Sequence, residues 1–151
     1  MFEKYIEDEE ENKIEGLGII DLYAKIDRTN RFNSLFIGTL RTNKNEEEQK
    51  FKIMGYKSTF SFSYGNNSKN YAFKSIKGCG INKESKLEGI RINNFFGTYL
   101  IGPLLIINPD FTKYIMKLLG KKEPKLQFED KAQECYNARL LEFENIRKLK
   151  L

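Results

Sequence analysis

The stretch Gly97 to Pro109, GTYLIGPLLIINP, has the order of a strand end, a tight turn and a helix start, an arrangement suited to presenting a reactive side chain. The residue where the turn begins is Ile101, which can neither take up nor release a proton. The chain contains no histidine, so it can assemble neither a Cys–His nucleophilic pair nor an imidazole base. Its two cysteines, Cys79 and Cys135, stand far apart with no partner pattern. That spacing fits neither a disulfide framework nor a zinc site and points to reduced structural thiols, with a functional thiol as the alternative. Metal binding through His or Cys clusters is excluded by counting. Glu9, Glu10 and Glu11 form a charge run, which reads as a solvated face rather than a catalytic carboxylate pair. GLG at 16–18 lacks a third glycine and a following helix, and GCG at 78–80 leads into a polar turn, so both read as turn glycines rather than phosphate loops. No cofactor is implied.

Composition bounds the partners. The formal charge is +5, carried by 20 Lys against 6 Arg. Arginine makes the bidentate contacts to bases and phosphates, so its scarcity favours a solvated lysine-rich surface over a nucleic-acid interface. No run approaches the roughly 18 apolar residues of a membrane span. The opening MFEKYIEDEEENK is acidic and lacks the basic-then-apolar order of a secretory signal, which leads to the expectation of a cytoplasmic protein. A chain of 151 residues suffices for one domain with a sizeable core.

The elements that must position the turn are mostly strands. From Lys13 to Lys57 the apolar runs GLGIIDLYAKI, SLFIGTL and KFKIMGY predict strands, and RTNKNEEEQK predicts an exposed hairpin loop between the last two. STFSFSYGNNSKN predicts a strand and a turn, YAFKSIKG another strand, CGINKESKLEG a polar turn, and IRINNFFGTYLI more strand. Then the pattern changes. Asn108 as N-cap, Pro109 at the first helical position and Gly120 as the stop predict a helix whose apolar face is Phe111, Tyr114, Ile115, Leu118 and Leu119. A second helix is predicted from about Phe128 to Lys148, with Ala132, Cys135, Tyr136, Leu140 and Phe143 on one side and Cys135 as a small buried apolar residue.

The order EGLGIID, RFNSLFIG, IMGY, GCGIN and EGIRINNFFGTYLIGPLLIINP resembles the C-terminal half of class I glutamine amidotransferases of the cobyric-acid-synthase-like group. Within that group it is most similar to the GatD subunit of lipid II isoglutaminyl synthase, which reads G-T-Y-L-H-G-P-L-L, two residues, then N-P. The resemblance implies the second half of a flavodoxin-like α/β fold with a parallel sheet, strands first and two C-terminal helices after. It implies a Mur-ligase-like (MurT-type) synthetase subunit as partner in amidating lipid II.

The same resemblance locates three departures. Ile101 occupies the family's catalytic histidine position. The family's G-[FY]-E-x-H becomes GYKST, so the glutamate is Lys57 and a second usual histidine is Thr59. The nucleophilic cysteine of the family lies on an elbow upstream of the matched region, and MFEKYI resembles the segment just after it. Cys79 falls in the loop of a glycine-rich turn, and Cys135 in the last helix. Arg31 matches a stretch that contacts substrate, or is an ordinary solvent-exposed arginine. The expectation is a truncated, degenerate relative without glutaminase activity alone, its upstream half lost or separately encoded. The alternative is a non-enzymatic scaffold that binds a Mur-ligase-like partner. A basic nucleic-acid-binding domain is the third reading.

Overall fold

The computed structural model describes residues 2–42 and 51–145. Among the described residues ten strands precede two helices: β1 (Tyr5–Glu7), β2 (Lys13–Glu15), β3 (Leu22–Ile26), β4 (Phe32–Leu40), β5 (Lys52–Thr59), β6 (Ser61–Gly65), β7 (Phe73–Lys77), β8 (Leu87–Glu88), β9 (Ile90–Ile92), β10 (Phe95–Gly97), α1 (Pro109–Leu118) and α2 (Glu129–Asn145). The predicted order of strands first and two helices last is what forms. Residues 43–50 of the expected hairpin loop lie outside the described residues, but β4 and β5 on either side pair antiparallel from Phe32↔Thr59 to Thr39↔Lys52.

β5, β4, β7 and β8 make one four-stranded sheet, and β2, β1, β3 and β6 make another, with β9 and β10 as a separate hairpin. Among the described strands only β1 and β3 pair in parallel. The parallel sheet that the resemblance implied is therefore not the arrangement of this region. Short connections such as the one from β9 to β10 are too brief for the crossover a parallel pair needs, so these neighbours turn back on each other.

Alternation along β4 and β5 sends side chains to opposite faces of their sheet. Phe36 and Ile53 pack with Phe73, Leu100 and the α1 residues Phe111 and Tyr114. Their chain neighbours Ile37 and Met54 pack with Tyr136 and Phe143 of α2. The sheet is thus held between the two helices, and Phe111 meets Phe73 edge-on at 5.6 Å. A large side chain fully buried here contributes about 1.5–3 kcal/mol. Arg91 is buried too, its guanidinium set over Phe96 at 5.0 Å and Tyr114 at 5.5 Å and donating to the Arg41 carbonyl at 2.7 Å.

Several expectations need correction. Leu119 is 81% exposed rather than part of the α1 face, because the helix ends one residue earlier and Gly120, at φ +92°, turns the chain away. The second helix starts at Glu129, since Phe128 has φ +56°, and Lys148 lies outside the described residues. Cys135 is exposed, not buried. The burial of α2 is limited to Tyr136 and Phe143, seven residues apart, and Cys135 lies one position off that line. The run GLGIIDLYAKI is strand only over its last part, with Leu17 and Ile19 exposed.

Candidate functional site

The Gly97–Pro109 turn is fastened to β5 at three levels. At its base, Asn108 holds the N-cap position of α1, yet its side chain makes no capping bond. The carboxamide reaches across to β5 instead, where Oδ1 accepts the Met54 N–H at 2.7 Å and Nδ2 donates to the Met54 carbonyl at 2.8 Å. Nδ2 also donates to the Leu104 carbonyl at 2.7 Å. Asn108 is 1% exposed, so these bonds satisfy groups that water does not reach. One level up, Leu100 lies against Gly55, where an added Cβ would come within 3.2 Å of Leu100 carbons, so the close approach depends on glycine. At the crest, the Ile101 N–H donates to the Tyr56 carbonyl at 2.8 Å, an isolated bridge that continues the β5 edge. The peptide that follows, Gly102–Pro103, is cis.

Behind the turn lies a fully buried ion pair. Lys57 Nζ stands 2.5 Å from Glu88 Oε2, with the side chains 1% and 0% exposed. Lys57 also donates to the Gly80 carbonyl. The other oxygen of Glu88, Oε1, accepts from Thr98 Oγ1 at 2.8 Å and from the Tyr99 N–H at 2.9 Å. Charge is matched and the carboxylate is fully bonded, the condition under which a buried pair is tolerated. Beyond it, the Tyr99 hydroxyl meets Ser63 Oγ at 2.9 Å, and Ser63 in turn donates to the Glu3 carboxylate. Burial pushes the Tyr99 phenol above its ordinary value, the Ser63 bond partly offsetting it.

The three residues that depart from the motifs the sequence resembles lie close together: Lys57 and Thr59 on β5, and Ile101 bonded to Tyr56, the residue just before Lys57. Lys57 points inward to Glu88, while Ile101 is 47% exposed. Arg31 precedes β4 where Phe32 pairs with Thr59, and its exposed guanidinium sits 5.2 Å from the Phe60 ring. Cys79 is buried, and desolvation raises its thiol pKa while Lys57 pulls it down. No group of three or more His, Cys, Asp or Glu that could hold a metal ion occurs among the described residues. No described helix is long and apolar enough to cross a membrane.

What this arrangement can do chemically is limited. Ile101 offers no proton acceptor, Lys57 is committed to Glu88, and the Tyr99–Ser63–Glu3 relay presents hydroxyls without an imidazole to activate them. Sequence reasoning missed the Lys57–Glu88 pair and the Asn108 clamp. The motif EGIRINN contained Glu88 and NP contained Asn108, but neither signals its partner, which folding brings from a distant strand.

No family model matches the chain. It is 32% identical over 111 residues to the lipid II isoglutaminyl synthase (glutamine-hydrolyzing) subunit GatD of Staphylococcus aureus (strain N315), a match covering 70% of this chain and 39% of that protein. To the subunit of the same name from Streptococcus pneumoniae (strain ATCC BAA-255 / R6) it is 25% identical over 111 residues, covering 74% of this chain and 40% of the relative. The resemblance read from GTYLIGPLLIINP is borne out: the chain is similar to GatD subunits and spans about two-fifths of the length of these curated relatives.

Proposed function

We propose that this GatD-like, glutamine amidotransferase-related protein has no glutaminase turnover of its own and serves as a scaffold for a Mur-ligase-like, MurT-type synthetase in the cytoplasm. The observation that carries this reading is Ile101. It stands at the histidine position of the G-T-Y-x-H-G motif, exposed at the crest of a turn whose supporting bonds are complete. In glutamine hydrolysis a cysteine thiolate attacks the amide carbon, and the histidine takes the thiol proton and passes one to departing ammonia. Isoleucine serves neither step. On this reading neither Cys79, buried after β7, nor Cys135, exposed on α2, acts as the nucleophile of such a reaction. The scaffold role draws support from the apolar side chains beside the crest, with Ile106 74% exposed and Leu105 46%. On this reading Arg31 serves as a surface contact for substrate or partner.

The test is ammonia release from glutamine by the purified chain, alone and with a Mur-ligase-like synthetase, beside an Ile101→His variant. The expected result is no turnover by the unmodified chain and a stable complex with the synthetase. Turnover by the unmodified chain alone would overturn the proposal.

A further inference from the structure

A cleft of about 310 Å³ opens between the mixed sheet and the β9–β10 hairpin, at the small end of the range for ligand sites. Ile6, Leu22, Ile81 and Ile90 contribute to apolar walls. Phe2 and Phe95, both partly exposed, line it as an edge-on aromatic pair with ring centres 5.2 Å apart. Glu3 is the only charged residue in the lining among the described residues.

The bonding of Glu3 is unequal. Oε1 accepts the Ser63 hydroxyl, and Ser63 is held in turn by Tyr99, so the carboxylate is fixed in direction. Among the described residues no donor reaches Oε2. The nearby cation Lys57, 5.9 Å from the Tyr99 ring, is neutralised by Glu88, and Lys4 beside Glu3 in sequence is paired with Asp21 at 2.5 Å. An oriented carboxylate with one uncommitted oxygen, inside an apolar cleft bearing two aromatic rings, is complementary to a single positive charge on an apolar body.

We infer that this cleft binds a small cationic amphiphile, a primary amine carrying an aromatic or branched apolar group. The ammonium meets Glu3 Oε2, and the apolar body lies against Ile6, Leu22 and Ile90. Neither the missing histidine position nor the synthetase partner is involved, so this site stands or falls independently of the proposed function.

Calorimetric titration of the full chain with phenethylamine, 2-phenylethanol and 3-phenylpropionate tests it, because the three probes share a body and differ in charge. The amine should saturate with a Kd in the millimolar range or tighter. The alcohol should bind at least about tenfold more weakly and the acid more weakly still. Glu3→Gln should lose about the same factor for the amine alone, with its thermal midpoint recorded as a check on folding. Gly97→Leu should block all three probes, since a Cβ there meets only Phe95 ring carbons, at 3.4 and 3.6 Å, and a longer side chain can enter the cleft. Equal binding of the three probes, amine binding unchanged in Glu3→Gln, or no saturable amine binding by the unmodified chain overturns the inference. Should Gly97→Leu fail to fold, the probe series and Glu3→Gln decide alone.

Discussion

The underside and the crest of the Gly97–Pro109 turn are built on opposite terms. Below, Asn108, Leu100, Thr98 and Tyr99 are each bonded or packed to β5 or to Glu88, and the Asn108 and Glu88 side chains at the centre of these contacts are closed to water. Above, Ile101 contributes only its backbone N–H, and its side chain is half in solvent. The support of the turn thus does not depend on the side chain at its crest. The side chain at this position can change without loosening the frame, and presence of the frame alone says nothing about catalysis.

The comparison is broken most severely at Glu88. Glu88→Ala leaves the Lys57 ammonium buried without a counter-charge and the Tyr99 N–H without an acceptor, and should cost about 3–5 kcal/mol in urea denaturation. That is a large part of the roughly 5–15 kcal/mol that holds a typical domain together. The double variant Lys57→Met, Glu88→Leu should recover much of the loss, because removing both charges also removes the desolvation penalty. A loss under about 1 kcal/mol for Glu88→Ala would mean that water reaches the pair, against the burial described.

Asn108→Ala comes next. It strips partners from the Met54 N–H and carbonyl and from the Leu104 carbonyl, and the two buried Met54 groups at about 1–3 kcal/mol each set the expected loss at about 2–6 kcal/mol. Asn108→Asp sharpens the result: it keeps the acceptor for Met54 N–H and loses both donors, so it should fall between the parent and alanine at low pH and below alanine when ionised.

Much of the fold was legible in the sequence for local reasons. The alternation in KFKIMGY and SLFIGTL, and the Asn-Pro start and Gly stop of α1, act through neighbours along the chain. What escaped depends on long-range placement. Lys57 read as a lost glutamate, and only the fold, which lets a side chain of β5 reach Glu88 on β8 at the other edge of the same sheet, reveals it as half of an ion pair. Asn108 read as a helix cap, because the sequence cannot show that Met54 competes for its carboxamide. Cys135 read as buried because apolar residues surround it in the sequence, whereas α2 buries only Tyr136 and Phe143. Of the candidate site, the turn and Ile101 were visible, while the Glu3–Ser63–Tyr99 relay joins β6 to the segment before β1 and the segment after β10.

The thiols give a smaller effect, confined to alkaline solution. Cys79 has its folded pKa raised above the ordinary 9.0 by burial, so the stability its neutral thiol contributes is fully present below that value. It is lost as pH rises through the folded value, where the unfolded chain already carries a thiolate. Denaturation measured across this range should fall more gently in Cys79→Ala than in the parent. A disulfide-exchange reagent at neutral pH should label the exposed Cys135 at once and Cys79 only on unfolding. Equal labelling rates would show that the loop after β7 opens freely.

The smallest effect on stability is expected at the crest itself. Ile101→His exchanges one partly exposed side chain for another and leaves the bond from residue 101 N–H to Tyr56 in place, so stability should change by no more than about 0.5 kcal/mol. The chain has no other histidine, so the new imidazole would give a single set of ring resonances to follow by NMR. With no carboxylate bonded at the crest, it should titrate near the unperturbed value of about 6.5. Such a value would mean that neither burial nor a neighbouring charge acts on the imidazole. A loss above about 1.5 kcal/mol would show that Ile101 supports the frame after all, and would erase the distinction between underside and crest. A pKa displaced by more than about one unit would show instead that the surroundings of residue 101 act on an ionisable side chain placed there, so that the crest is as built as the underside.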